Sequence, residues 1–290
     1  MGPGLTGYLV RRLLWAVPVL FVISVLVFWI VRAAPGDPVD TLLGQQYYTE
    51  EQAARLRDKY GYDDAMPVQY VKWITNLAQG DLGISTRHRD FSANEVILPK
   101  MGVSATLGAI ALVITFVLGI PIGIYAALAR GTFLDPLIIS SWLAIDAIPY
   151  FVMIPVIQWL LAIKLGLVGL GYQGLTSPNI ILPILLLSLP AVAGVARLMR
   201  ASILSVIGED YVRTARAKGL RETTVIFTHV ARNAMLPMVT VVGLSLPGLA
   251  GGSLFIELFF GIPGIARESL DAVLAPDFDV ILALVMVSSV

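Results

Sequence analysis

Long intervals without a charged residue alternate along the chain with polar connections, and their lengths set the first expectation. The apolar core of a bilayer is about 30 Å thick and takes about 20 residues of helix to cross. Leu13 to Val31 carries no charge, and Lys100 to Arg130 encloses a second, longer interval. A third runs from Asp135 to Lys164 and is broken only by Asp146. A glycine-rich stretch (Gly166, Gly169, Gly171, Gly174) then leads through Pro178 into a fourth interval, Ile180 to Ala196. Arg232 to Glu257 encloses the fifth, and a sixth starts near Val280 and reaches Val290, too short to span by itself. The pattern predicts an all-α, polytopic membrane helix bundle with five complete spans and a truncated sixth.

Composition agrees, with 57% hydrophobic and 14% charged residues and a mean hydropathy of +0.81, values foreign to a soluble domain. The formal net charge is zero, which gives no general attraction to nucleic acid. The absence of cysteine excludes disulfides and thiolate chemistry, and the two histidines, His88 and His229, form no metal-ligand pattern. A signal peptide is the competing reading of the first interval. Its length exceeds the usual apolar region of such a peptide, and Pro35-Gly36-Asp37-Pro38 is a poor cleavage context, so it is expected to stay as a helix. Arg11, Arg12, Arg130 and the basic residues between Arg197 and Arg232 place the N-terminus inside by the positive-inside rule.

Residues 33–100 are too long and polar for a simple loop and are expected to form a small helical segment on the outer face, between the first span (1–32) and the permease-like remainder (101–290). Thr49-Glu50-Glu51-Gln52 is a capping box whose helix should run to about Tyr60 and stop at Gly61. Pro67 suits a first helical position, and Tyr70, Trp73, Ile74 and Leu77 then share one apolar face that should pack downward, ending at Gly80.

The inner connection, about 208–233, holds the most informative stretch. Asp210-Tyr211-Val212-Arg213-Thr214-Ala215-Arg216-Ala217-Lys218-Gly219-Leu220 reads as a short helix, with Glu209 and Asp210 at its start, basic residues toward its end and Gly219 to terminate it. Tyr211 and Ala215, four apart with Val212 beside them, should form a small apolar patch suited to docking. Attraction of its basic residues to anionic lipid is the alternative from charge alone.

The order of these residues resembles the ATPase-coupling loop of the dipeptide, oligopeptide and nickel permeases of ABC importers. His229-Val230-Ala231-Arg232-Asn233-Ala234-Met235-Leu236-Pro237, the opening Arg11-Arg12-Leu13-Leu14, Pro35-Gly36-Asp37-Pro38, Gly80-Asp81-Leu82-Gly83, and Glu257 with Phe260, Pro263 and Gly264 are similar to that family in the same order. The wider ABC pattern begins Glu-Ala-Ala, where Arg213-Thr214-Ala215 stands here, so the likeness is to the peptide-type signature. The resemblance implies the first of two permease subunit types. It implies as partners a second permease, two cytoplasmic ATPases, an extracytoplasmic substrate-binding protein and membrane lipid, in a bacterial or archaeal cytoplasmic membrane. It also implies a sixth span completed beyond Val290.

No Gly-x-x-x-x-Gly-Lys-[Ser/Thr] occurs, so no cofactor is expected in this chain, and ATP with its magnesium would be bound by the partner ATPases. Asp146 is an ionisable group within a span and therefore a candidate for the translocation path, with Pro149 after it as a kink. A structural aspartate near the outer end is the plainer alternative. Glu257 is a candidate gate or binding-protein contact, or a simple loop cap. Gly119-x-x-x-Gly123 permits close helix approach, between two permeases or within one. The expected function is peptide import by alternating access, with nickel, glutathione or other small solutes as alternative cargo. A secondary transporter would show internal repeats with broken helices, and a membrane enzyme a nucleophile or zinc motif; neither pattern is found.

Overall fold

The computed structural model describes residues 4–43, 48–88, 91–133, 137, 140, 141, 144 and 147–289. In chain order its helices are α1 (Leu5–Ala33), α2 (Pro38–Leu43), α3 (Glu50–Tyr60), α4 (Met66–Ala78), α5 (Ala93–Leu128), α6 (Tyr150–Lys164) and α7 (Pro178–Val206). They continue with α8 (Asp210–Ala217), α9 (Glu222–Ala234), α10 (Leu236–Gly251), α11 (Leu254–Phe260), α12 (Ile265–Leu274) and α13 (Phe278–Ser289). The only extended pairing among the described residues is one isolated bridge between Ile84 and Ser92. The architecture is all-α, as the charge-free intervals require.

Among the described residues, three helices are long and apolar enough to cross a membrane: Thr6–Ala33, Ala93–Leu128 and Pro178–Val206. The third expected span is helical at Leu137, Ser140, Ser141 and Ala144 and again in α6 from Tyr150, with residues 147–149 non-helical between them. Pro149 stands where α6 begins. Having no N–H and a fixed φ, it suits the position before the first turn, where its carbonyl accepts from Val152 N at 2.8 Å and Met153 N at 3.1 Å. The fifth expected span is also divided. α9 and α10 meet at a 46° bend beside Pro237, and Gly252, at φ 69°, separates α10 from α11. Glu257 therefore sits on a short helix of its own.

The chain forms two compact units, residues 1–102 with 265–290, and residues 103–264. In the first, Phe28 and Val31 of α1 are buried with Trp73 of α4 and Phe278, Leu282 and Met286 of α13, while Tyr70, Ile74 and Leu77 complete the expected apolar face of α4. α3 begins at the capping box, with Thr49 Oγ1 accepting from Gln52 N and Gln52 Oε1 from Thr49 N, and ends against Gly61 at φ 67°. Pro67 lies in the first turn of α4, one residue later than expected. Asp277, fully buried between α12 and α13, gathers the loop before α5. Its Oδ1 accepts from Thr86 N (3.0 Å) and Thr86 Oγ1 (3.2 Å), and its Oδ2 from Ser85 Oγ (2.5 Å) and Arg87 N (3.2 Å).

The second unit has two apolar clusters. Ile124, Val195, Met199 and Ile203 pack with Val212, Ala215, Val225 and Ile226 in one. Leu107, Ile154, Leu186, Ile256 and Phe260 pack in the other. The Gly119 and Gly123 pair faces α7 within this chain. A Cβ on Gly119 would lie 2.8 Å from Val195 Cγ1, and one on Gly123 would lie 2.6 Å from the Ala196 carbonyl oxygen. Helices without side chains at their crossing approach closely, and in lipid such packing is a main source of helix association.

Candidate functional site

The segment resembling a coupling loop forms as a discrete helix. Glu209 is extended, and its carbonyl accepts from Val212 N and Arg213 N, opening α8. Asp210 stands in the first turn and Arg216 in the last, both favourable to the helix dipole. Gly219 adopts φ 75°, a left-handed conformation that a side chain would strain. Arg216 then reaches across the turn to Glu222 by two hydrogen bonds, Nη2 to Oε1 at 2.7 Å and Nε to Oε2 at 3.2 Å. The bond to Arg216 holds the Glu222 carboxyl below its usual range. This clasp joins the end of α8 to the start of α9.

The apolar face differs from the expected one. Val212 (0% exposed) and Ala215 (5%) are the buried pair, three residues apart, and they pack against Val225, Ile226 and Val230 of α9 and Met199 and Ile203 of α7. Tyr211 stays 39% exposed. At 100° per residue Ala215 lies about 60° from Val212 and about 40° from Tyr211, so helical spacing does not choose between them and the packing against α7 and α9 does. The patch thus anchors α8 to its own chain. What it leaves outward is Tyr211, Arg213, Thr214, Ala217, Lys218, Gly219 and Leu220, all exposed. Arg213 makes only a long pair with Asp210, at 3.6 Å with both side chains well exposed.

Val212→Asp is expected to free this helix. An unpaired carboxylate in that cluster costs several kcal/mol, about 3 or more by comparison with broken buried pairs. The check is trypsin cleavage at Arg213, Arg216 and Lys218 in the detergent-solubilised protein, which should become rapid in the variant.

Glu257 occupies a second site. It is 1% exposed on α11, and its Oε1 accepts from Ser104 Oγ of α5 at 2.7 Å and from Ser253 N at 3.2 Å. Two glycines make room for it: a Cβ on Gly252 would lie 2.2 Å from Oε1, and one on Gly264 2.2 Å from Cδ. The carboxylate so gathers both ends of the α11 connection onto α5. It also lines a cavity of about 230 Å³ between α5, α7, α10 and α11, with Ser104, Thr115 and Ser245 as further polar groups in an otherwise apolar wall. Ser104 and Gly252 are participants that sequence reading missed, while Gly264 stood beside Glu257 in the resemblance. Ser104 had no signal, being 153 positions from its partner.

Asp146 lies outside the described residues. Pro149 is exposed at the start of α6 and lines a separate cavity with Tyr150, Leu187 and Pro190. Neither cavity is lined by any residue of α8.

Comparison with known proteins adds to this geometry. Residues 119–290 match a family model described as binding-protein-dependent transport system inner membrane component, and residues 5–118 match the N-terminal model of the same systems' membrane components. The chain is 34% identical to the oligopeptide transport system permease protein OppB of Salmonella typhimurium, over 96% of this chain and 90% of that protein. It is 33% identical to the oligopeptide transport system permease protein AppB of Bacillus subtilis, over 99% and 93% respectively. A chain from the inward-facing MetNI methionine ABC transporter is similar at a TM-score of 0.49 and 15% identity, over 66% of this chain and 89% of that one.

Proposed function

From the premise that the chain belongs to the family of binding-protein-dependent transport system inner membrane components, we propose that it is a permease subunit of an ATP-driven ABC importer of peptides. The observation that carries the peptide reading is the likeness, at 34% identity over nearly the whole chain, to permeases named for oligopeptide transport. That naming favours peptides over nickel or other small solutes as cargo. The subunit is multi-pass in the inner membrane with its N-terminus inside, and it forms the path together with a second permease. An extracytoplasmic binding protein delivers the substrate, and two cytoplasmic ATPases bind and hydrolyse ATP with magnesium. This chain itself has no ATP site and no catalytic role.

Segment 210–220 is the lever in this reading. Val212 and Ala215 fasten α8 to α7 and α9, so a push on its exposed face moves those helices with it. Tyr211, Arg213 and Lys218 offer an aromatic ring and two cations to a groove on an ATPase. Closure of the ATPases then biases the helices between outward- and inward-open arrangements, which requires only that the two arrangements contact α8 differently. Asp146, Pro149 and Glu257 are assigned to the path or its gate, with Glu257 holding the α11 connection in place.

Because the sequence contains no cysteine, Lys218→Cys supplies a unique thiol for a short cross-linker. A product with an ATPase subunit, whose yield changes when nucleotide is added, is the expected outcome. Absence of any product at this position and at equivalent Tyr211→Cys and Arg213→Cys variants would remove α8 from the interface.

A further inference from the structure

The first unit contains a cavity of about 360 Å³ walled by the last turn of α1, the α3–α4 connection, α4 and the first turn of α13. Two of its lining side chains carry N–H groups with no acceptor. Arg32, 10% exposed, spends Nη2 on Asp279 Oδ1 at 3.4 Å, but its Nε and Nη1 are buried and unpartnered. Trp73 is 8% exposed and its Nε1 is likewise buried without an acceptor. The Arg32 guanidinium lies over the rings of Phe28 and Tyr62, at 5.6 and 5.1 Å from their centroids. Such stacking engages the flat face of the guanidinium and leaves its N–H edge for an oxygen ligand. Burial pushes the Tyr62 phenol well above its usual range, so that ring stays neutral beside the cation.

Buried donors in folded proteins are nearly always satisfied, by protein, water or ligand oxygens. The charge around this cavity narrows the choice. Arg32, Lys59 and Lys72 are matched by Asp58, Asp81 and Asp279, so a bare anion would meet as much repulsion as attraction. We propose that this cavity binds a small zwitterion, whose anionic oxygens accept from Arg32 and Trp73 and whose ammonium group faces Asp58 and Asp81. Two sources present that chemistry: the ends of a short peptide, and the phosphate and amine of an aminophospholipid headgroup. The site rests on the cavity and its open donors, and stands whether or not the chain transports peptides.

Calorimetric titration of the full chain, purified with its partner subunits in detergent, distinguishes these cases. The probes are dialanine and glycerophosphoethanolamine, with glycerophosphate and ethanolamine as single-charge controls. At least one zwitterion should bind more tightly than both controls, and Arg32→Lys and Trp73→Phe should each weaken it by about tenfold, the value of one lost charge-assisted or buried hydrogen bond. Binding of dialanine identifies the peptide source, and binding of glycerophosphoethanolamine the lipid one. Should Arg32→Lys fail to fold, Trp73→Phe decides alone, since it removes one N–H and keeps an aromatic ring. Binding of neither zwitterion, equal binding of glycerophosphate, or binding unchanged in the folded variants would overturn the proposal.

Discussion

Gly123→Val is expected to leave little intact protein after detergent extraction, with the remainder melting far below the wild type. A Cβ at this position would lie 2.6 Å from the Ala196 carbonyl oxygen and 2.6 Å from Met199 Cβ. The first of these is backbone, which cannot rotate out of the way, so α5 and α7 would have to separate. Overpacking in a core that can adjust costs about 1–3 kcal/mol. This crossing cannot adjust by a rotamer change, and the cost should reach or pass the top of that range. Gly102→Ala is the matching control. It lies in the same helix with nothing within 4 Å of a Cβ, and replacing a helical glycine by alanine should stabilise by about 0.5–1 kcal/mol. Fluorescence-detected size exclusion across a temperature series reads both, with shifts of opposite sign.

Asp277→Ala should be nearly as damaging, by a different route. The carboxylate is fully buried and takes hydrogen bonds from two backbone amides and two hydroxyls of residues 85–87. Alanine leaves the amides of Thr86 and Arg87 without their acceptor, and each buried orphan donor costs about 1–3 kcal/mol. The loop should detach from the start of α13. Asp277→Asn keeps one acceptor oxygen and should lose less than half as much. Amide hydrogen exchange of residues 84–88 is the measurement, with fast exchange expected for the alanine variant and partial protection for the asparagine one.

Local features were legible in the sequence because their causes are local. The Thr49 capping box and the stop at Gly61 depend on residues within a turn or two of each other, and both stand where the pattern placed them. The apolar face of α4 followed from helical spacing, and it packs with Phe28 and Val31 of α1 and Phe278 and Leu282 of α13. The lengths of the charge-free intervals located α1, α5 and α7.

Features that depend on distant partners were not legible. On α8, spacing allowed either Tyr211 or Val212 to join Ala215, and the choice belongs to Val225, Ile226 and Val230, which only the tertiary fold brings close. Glu257 read as the end of a span because nothing nearby marks the break at Gly252 as structural. Its burial follows from Ser104 and Gly264, and neither can be paired with it by periodicity. The Gly119 and Gly123 pair was consistent with an interface inside or between subunits, and the partner helix α7 resolves it in favour of packing within this chain.

The central claim, that this subunit carries peptides by work transmitted from ATP, is tested most directly by uptake into proteoliposomes. The chain would be reconstituted with its second permease and ATPases, supplied with binding protein, and assayed with a radiolabelled tripeptide. Accumulation is expected with ATP and magnesium inside the reach of the ATPases, to fall to background with a non-hydrolysable analogue, and to fall likewise in Val212→Asp. Accumulation that proceeds without nucleotide, or follows an imposed proton or sodium gradient instead, would contradict the account.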